Sequence, residues 1–252
     1  MMIGAHVRGD DPIAEALARD ADVVQTFLGD PQSWAKPLPH PHAASIIASS
    51  VPLYVHAPYP INVGSPNNRI RIPSRKTIAQ SAAAAQELGA VALTLRGGHI
   101  GDDEAPEVGY ERWRKALRAV ETELPILIEN TAGGGNAIAR SIDSYGPLWD
   151  EVGDMGVGVC LDTCHAWAAG EDLETIVDRL VAATGRIDLV HCNDSRDPRN
   201  SRRDRHTNLG GGQIPEKLLV GVVKAAAAPT VVETPGGVTE QAADITWLRE
   251  RT

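Results

Sequence analysis

The chain has 252 residues, of which 42% are hydrophobic, 33 are acidic and 24 are basic, so its formal net charge is −9. This length suits one large domain, and the charge disfavours nucleic acid as a partner only weakly, because a local basic surface can outweigh a net charge. No apolar run is long enough to span a membrane, and the opening MMIGAHVRGDD lacks a signal-peptide pattern, so we expect a cytoplasmic protein without a membrane partner.

Short β-branched runs alternate with Ala-rich helical stretches along the chain. Strands are predicted, in chain order, in MIGAHV, VVQTFL, PLYVHA, VALTLRG, PILIENT, VGVCLDT, DLVHCND and TVVET. Helices are predicted over Ser74–Leu88, Gly109–Glu123, Asp172–Thr184, Pro215–Ala227 and Val238–Arg251. Eight strands alternating with helices are typical of a (β/α)8 TIM barrel, and we expect one such α/β domain over residues 1–252. An open, doubly wound sheet is the structural alternative.

Five of the predicted strands end in a residue type that binds metals. These residues are His56, Glu129, Asp162, His191 and Glu233. The C-terminal ends of barrel strands converge on one rim, where the active sites of such barrels lie. Carboxylates brought together there without a cation would repel one another and lose hydration. The pattern therefore predicts a shared metal cluster at the rim.

The stretch GVCLDTCHAWAAG places two cysteines beside Asp162 and His165. Cys160 and Cys164 are compatible with a redox pair or a thiolate metal site, although three cysteines in all fit reduced thiols. In an extended strand, Cys160 faces the same side as Asp162 but lies one layer deeper, where a free cysteine packs as a small hydrophobe. We therefore predict that Asp162 and His165 are the working pair, and a direct role of Cys164 stays open.

A second group of metal-binding type, DRH, spans Asp204 to His206 in the loop after the seventh strand. In an extended loop Asp204 and His206 point the same way and can hold one ion. The following NLGGGQIP contains three glycines. Their amides either approach a ligand phosphate closely or form part of a flexible turn.

Together these segments resemble the endonuclease IV family, the zinc-dependent apurinic/apyrimidinic endonucleases. The resemblance covers nearly the whole chain, in the order HAPYPIN, ENTAG, CLDTCHAWAAG, HCND, DRHTNLGGG and VVET. It implies a (β/α)8 barrel with three zinc ions, which hydrolyses the phosphodiester 5′ to an abasic site and leaves a 3′-hydroxyl. The implied partner is damaged double-stranded DNA, and we expect a monomer.

The resemblance also implies eight metal ligands. Glu129 would bridge two zinc ions. The first of these ions would be completed by Asp162, His191 and Glu233, the second would be bound by His56, and a third ion would lie between His165, Asp204 and His206. Glu129 and the three other ligands of the first ion are the implied catalytic residues.

One position departs from the family pattern. The fourth strand of the family normally ends in a histidine that helps to hold the ion shared by His56 and Glu129, but LTLRGGHI places Arg96 there. A guanidinium has no lone pair to offer a metal. We therefore expect about two tightly bound ions instead of three, and weakened activity, unless His99 replaces the missing ligand.

Contacts with DNA are expected from loops at the rim. The family enters the duplex at the lesion with the loop that corresponds to LGDPQSW, and HAPYPIN carries a further tyrosine. The basic segments NNRIRIPSRK and SRDPRNSRRDR are predicted to contact phosphates. Ordinary packing of the aromatic residues and solvation of the arginines are the alternatives. The candidate DNA-binding residues are Gln32, Trp34, Tyr59, Arg202, Arg203 and Arg205.

Two other functions are compatible with the sequence. A metal-dependent sugar isomerase or epimerase uses the same barrel, but it needs a pocket that is closed to duplex DNA. A binder of damaged DNA, catalytically impaired by Arg96, would recognise the lesion without cleaving it efficiently.

Overall fold

Eight parallel strands close into a barrel in the computed structural model, which describes residues 1–252, and they confirm the predicted (β/α)8 fold. Each strand pairs with the next one along the chain and the last pairs with the first, which excludes the open doubly wound sheet. The barrel strands are β1 (Ile3–Val7), β2 (Val24–Thr26), β3 (Leu53–His56), β4 (Ala92–Arg96), β5 (Ile126–Glu129), β6 (Val157–Asp162), β7 (Leu189–His191) and β10 (Thr230–Val232). Two short strands, β8 (Asp194–Ser195) and β9 (His206–Thr207), form a separate antiparallel hairpin.

The helices alternate with these strands. They are α1 (Pro12–Ala18), α2 (Ala43–Ala48), α3 (Asn68–Glu87), α4 (Pro106–Leu117), α5 (Tyr145–Val152), α6 (Thr163–Ala169), α7 (Ile176–Thr184), α8 (Glu216–Ala226) and α9 (Val238–Arg249). The four helices that the sequence pattern did not predict, α1, α2, α5 and α6, have only six to eight residues each. Such short segments complete too few turns for an apolar period to stand out. No helix combines the length and the apolar composition that crossing a membrane requires.

Helix α3 begins six residues earlier than the predicted Ser74, because Pro73 does not stop it. The missing N–H of Pro73 leaves only the carbonyl of Arg69 without its helical partner, and Arg69 lies in the exposed first turn where water replaces the bond. The Asn67 side chain caps this turn by accepting a hydrogen bond from the Arg69 amide at 2.9 Å. The basic segment NNRIRIPSRK is therefore mostly helical.

The barrel interior is filled by a layer of inward-facing apolar side chains. The layer consists of Val23, Tyr54, Ala92, Leu127, Cys160, Leu189 and Val231. Cys160 thus lies in the interior, as strand parity predicts, and burial raises the pKa of its thiol to about 12. Cys164 is also buried, with a pKa raised by burial to about 12. Both sulfurs are free thiols, so the structure contains no redox disulfide between them.

The glycine-rich segment after β9 wraps around a buried carboxylate. Asp194 accepts hydrogen bonds from the backbone amides of Gly210, Gly212 and Ile214, at 3.1, 2.9 and 3.0 Å. A Cβ on Gly212 would come within 2.4 Å of the Asp194 carboxylate, so glycine is required there. The amides of Gly210 and Gly212 therefore hold the base of the β8–β9 hairpin, and the expectation that the glycine loop binds a ligand phosphate is wrong for these two amides.

Candidate metal centre

A polar layer lies directly above the apolar layer of the barrel interior. Side chains alternate between the two faces of a strand, so the residue two positions after each inward apolar residue also faces inward. Every one of these seven positions is polar: Gln25, His56, Thr94, Glu129, Asp162, His191 and Glu233. The layer lies at the C-terminal end of the strands, where the candidate ligands were expected.

The structure brings the predicted ligands into two groups whose donor atoms all lie within 4.8 Å of one another. One group comprises Glu129, Asp162, His191 and Glu233, and the other comprises Asp162, His165 and His206. Asp162 therefore belongs to both groups, whereas the family pattern assigns it only to the first. These groups offer carboxylate oxygens and imidazole nitrogens, a donor set that suits zinc.

Glu129 occupies the centre of the layer and is fully buried. Its Oε1 lies 3.2 Å from Nδ1 of His165 and 3.3 Å from Nδ1 of His191, and its Oε2 lies 3.3 Å from Nε2 of His56. Burial opposes the charge of the carboxylate, but hydrogen bonds from these three histidines hold its pKa well below the usual value. Glu129 is therefore an anion that faces both sides of the rim.

The orientation of His191 depends on Gln25, a residue that the sequence analysis missed. Nε2 of His191 donates to Oε1 of Gln25 at 3.1 Å. This bond turns Nδ1 toward the carboxylates of Glu129 and Glu233, 3.3 and 3.2 Å away. Burial disfavours a charge on His191, but the carboxylates of Glu233 and Glu129 outweigh it and raise the pKa well above the usual value. The position holds a proton in the absence of a metal and offers a lone pair when a metal displaces that proton.

Two asparagines fix the neighbouring ligands. Asn130 donates to the backbone carbonyl of Asp162 at 3.0 Å, and its own backbone carbonyl lies 2.9 Å from Nδ1 of His165. Asn193 donates to Oδ2 of Asp162 at 2.7 Å, while Oδ1 of Asp162 caps α6 by accepting from the His165 amide at 2.6 Å. Nε2 of His165 is thereby left facing the rim. The sequence could have indicated these two supporting asparagines, because Asn130 in ENT and Asn193 in HCND each follow the end of a strand closely.

The β8–β9 hairpin brings Asp204 and His206 to the same rim. Asp204 lies 3.1 Å from Nε2 of His165 and 3.0 Å from Nε2 of His206. Nε2 of His206 is buried, and Oδ2 of Asp162 also lies 3.8 Å from it. The second group of donors is thus completed by residues of the β8–β9 hairpin and not by the end of a barrel strand.

Arg96 points into the barrel mouth, as its strand parity predicts, and lies between two carboxylates. Its Nη2 donates to Oδ2 of Asp204 at 2.7 Å, and its Nε lies 3.8 Å from Oε2 of Glu129. Its guanidinium stacks on the ring of Tyr59, 5.0 Å from the centroid. Burial lowers the pKa of Arg96, but Glu129 and Asp204 outweigh this effect and raise it. Arg96 is therefore a permanent cation that also competes with a metal for Asp204, a contact that the sequence did not suggest.

His56 and His99 do not complete a third group. His56 belongs to neither group of donors, and its Nδ1 is occupied by the carbonyl of Ala57 at 2.7 Å. Nδ1 of His99 lies 3.1 Å from Nδ2 of Asn62, which also donates to the backbone carbonyl of His99. His99 is absent from both groups and from the walls of the rim cavity. The structure thus does not place His99 as the replacement ligand.

A cavity of about 650 Å³ opens above the metal-binding groups. Gln32 and Tyr59 line it together with Arg96, so two of the candidate DNA-binding residues lie beside the candidate metal centre. Trp34 is 39% exposed and lies outside this cavity, next to Ile72 and Lys76 of α3.

The arginines of SRDPRNSRRDR are not equivalent. Arg205 binds Asp197 with Nε at 2.7 Å and Nη2 at 2.5 Å, and Nη1 of Arg203 lies 3.6 Å from the same carboxylate. The side chain of Arg202 is exposed and has no protein partner. The prediction of phosphate contacts therefore applies best to Arg202, since Arg205 is held in a bidentate ion pair within its own loop.

Comparison with known proteins gives matches over the full chain. A model of the xylose isomerase-like TIM barrel family matches residues 13–251. A protein from Mycobacterium tuberculosis (strain ATCC 25177 / H37Ra) named "probable endonuclease 4" is 57% identical over 252 residues, which are 100% of this chain and 99% of that protein.

Solved structures agree in fold. Endonuclease IV from Thermus thermophilus superposes with a TM-score of 0.86 and 30% identity, covering 99% of this chain and 98% of that chain. A D-tagatose 3-epimerase-like protein superposes with a TM-score of 0.83 but only 16% identity, over 100% of this chain and 97% of that chain. At that identity the likeness concerns the fold alone.

Proposed function

Because this chain belongs to the endonuclease IV family, we propose that it is a zinc-dependent DNA-repair endonuclease that hydrolyses the phosphodiester 5′ to an abasic site in duplex DNA. The products are a nicked strand with a 3′-hydroxyl and a 5′-terminal abasic residue. We further propose that the protein acts in the cytoplasm as a monomer.

One observation supports this function best. Two groups of three and four metal-binding donors share Asp162, and each group reaches a cavity whose wall carries arginines, one through His206 and the other through Glu233. Buried carboxylates and imidazoles packed this closely need either protons or cations between them. An anionic phosphate can approach these carboxylates only if positive charge outweighs theirs, and bound metals would supply that charge.

Zinc is the metal that the donor set favours. The groups combine imidazole nitrogens with carboxylate oxygens, whereas magnesium prefers oxygen ligands and keeps most of its waters. When bound, zinc ions polarise a phosphate and make water acidic enough to attack at neutral pH. The proposed ligands are Glu129, Asp162, His191 and Glu233 in one group and Asp162, His165, Asp204 and His206 in the other, with His56 beside Glu129.

The protein's own residues position these ligands and the substrate. Gln25 holds the proton on Nε2 of His191, and Asn130 orients His165, so that Nδ1 of His191 faces the carboxylates of Glu129 and Glu233 and Nε2 of His165 faces Asp204. Arg96 contributes a fixed positive charge beside Glu129. Tyr59 and Gln32 stand at the cavity wall, where we propose that they contact the DNA around the lesion.

A duplex-nicking assay, with a sugar-epimerisation assay beside it, separates the sugar isomerase and the impaired DNA binder from this proposal. The protein, loaded with Zn²⁺, is mixed with a duplex that carries a single abasic site and with the intact duplex. Nicking 5′ to the abasic site alone, which prolonged chelation abolishes and Zn²⁺ restores, is the expected result. Binding without nicking would identify the impaired binder, and ketohexose epimerisation without binding would identify the sugar enzyme. Undiminished nicking by a verified metal-free preparation would contradict the metal-dependent mechanism.

A further inference from the structure

The rim cavity extends beyond the candidate metal centre. Its walls beside the centre are formed by residues such as His56, Arg96 and His206, whereas the remaining wall includes His6, Arg8 and Arg19. None of these three residues belongs to a metal-binding group. This part of the cavity, which we name the β1 pocket after the strand that carries His6, adjoins the candidate metal centre at Glu233, whose Oε1 lies 3.1 Å from Nδ1 of His6.

Two of these side chains are buried and carry a nitrogen without a protein partner. His6 is 7% exposed, and its Nε2 is buried without a hydrogen bond. Its Nδ1 lies 2.9 Å from Nε2 of Gln25 and 3.1 Å from Oε1 of Glu233, which itself accepts from the same Gln25 amide at 3.0 Å. Nδ1 is therefore engaged by polar neighbours, whereas Nε2 is not. Buried polar atoms are almost always paired, so an unpaired imidazole nitrogen on a cavity wall points to a partner from outside the chain.

Arg19 shows the same feature and adds charge. It is 5% exposed, its Nε donates to Gln241 at 2.7 Å, and its Nη1 donates to the carbonyl and the carboxylate of Glu15. Nη2 of Arg19 has no protein partner. The neighbouring bonds hold the guanidinium in place against the cavity wall, so this donor is oriented before any ligand arrives.

Arg8 completes the β1 pocket from the solvent side. It directly follows β1, lines the cavity, and its exposed side chain forms neither a hydrogen bond nor an ion pair with the protein. The carboxylate of Glu15 is engaged by Arg19, and Oε1 of Glu233 accepts from Gln25 at 3.0 Å. The pocket thus combines two guanidinium groups with an unpaired imidazole nitrogen, and the guanidinium donors fit a phosphate.

We propose that the β1 pocket binds a second phosphate of the DNA strand, next to the phosphate at the candidate metal centre. The inference rests on the proposed function, since both subsites lie in one cavity and a DNA strand presents phosphates in series. Arg8, which has no acidic partner, supplies the charge that neutralises this phosphate, and Nη2 of Arg19 donates a hydrogen bond to it. Together they fix the register of the strand, so that the bond to be cut lies at the candidate metal centre.

The test uses the full-length, zinc-loaded protein and duplexes with one abasic site and a blocked scissile bond. Single phosphates within two positions of the lesion are replaced, one at a time, by uncharged methylphosphonates, and dissociation constants are measured by fluorescence anisotropy. Neutralising one particular phosphate is expected to weaken binding about tenfold in the natural protein. Arg8→Gln is expected to weaken binding to the unmodified duplex about as much, and the same methylphosphonate is then expected to have little further effect.

Arg118→Gln is the matched control, because Arg118 is an exposed arginine at the end of α4 without a protein partner. It is expected to leave both dissociation constants unchanged. Arg19→Gln, checked for folding by thermal melting, should repeat the pattern of Arg8→Gln. Additive losses at every position would overturn the proposal, and so would inorganic phosphate competing for the pocket without any coupling to a DNA phosphate. A natural protein that cuts abasic DNA but shows no coupled phosphate refutes the pocket alone, whereas failure to bind or cut abasic DNA refutes the proposed function.

Discussion

Two sides of the barrel rim differ in what faces their carboxylates. On the side of β5, β6, β7 and β10, the carboxylates of Asp162 and Glu233 share a group of donors with His191. On the side of β3 and β4, His56 stands alone with Glu129, and the guanidinium of Arg96 occupies the adjacent space. The carboxylates of the first side face an imidazole that can lose its proton, whereas the second side already carries a cation that pH does not remove. A rim can therefore combine exchangeable and permanent positive charge around one shared carboxylate.

Removing the carboxylate of Glu129, which both sides of the rim share, is expected to have the largest effect. Glu129→Gln keeps the volume of the side chain but removes the charge that faces both sides, so we expect the rate of abasic-site cleavage to fall by at least about 100-fold. Elemental analysis should show fewer bound ions per chain. Glu123→Gln, at an exposed acidic residue close before β5, serves as the control and should leave both quantities unchanged. A near-native rate in the Glu129 variant would show that Glu129 is not the bridge.

The side of the rim that carries His191 is tested through Gln25, the residue that holds His191 in its orientation. Gln25→Leu removes the acceptor for Nε2 of His191, so the ring is no longer held with Nδ1 toward the carboxylates. We expect the metal affinity to fall about 10- to 100-fold, as measured by competition with a chelator of known affinity. Gln80→Leu on α3, outside the polar layer, controls for the loss of an amide. Unchanged affinity in the Gln25 variant would mean that packing alone orients His191.

The role of Arg96 as a permanent cation is tested by replacing it with histidine, the residue of the family pattern. Arg96→His should raise the metal content from about two to about three ions per chain and increase the single-turnover cleavage rate. Arg96→Met removes the charge without offering a ligand, so it should free Asp204 but add no ion. Three fully occupied sites in the natural protein, with no gain from histidine, would contradict the view that Arg96 replaces a metal.

The smallest effect is expected where the basic loop meets the DNA backbone. Arg202→Ala should reduce the slope of log affinity against log salt concentration by about one, because one phosphate contact is lost. Arg205→Ala should change the slope less, since Asp197 already neutralises that guanidinium. Equal slopes for the natural protein and the Arg202 variant would show that Arg202 faces only solvent.

The sequence by itself determined the barrel and most of its polar layer. Each of the eight predicted strand segments contains a barrel strand, and a period of two fixes which residues face inward. That period was sufficient to place Cys160 in the interior and to bring Glu129, Asp162, His191 and Glu233 to one rim. It was also sufficient to point Arg96 into the mouth of the barrel.

Only the tertiary structure decided which side chains act on one another across the rim. Gln25 meets His191 although 166 positions separate them, and Arg96 meets Asp204 across 108 positions. The same holds for the glycine amides that bind Asp194 and for the ion pair that occupies Arg205. Local periodicity fixes the face of a strand on which a side chain lies, but partners are fixed by the closure of the barrel and the path of its loops. Those depend on packing between segments that are distant in sequence, so a pattern of neighbouring residues does not encode them.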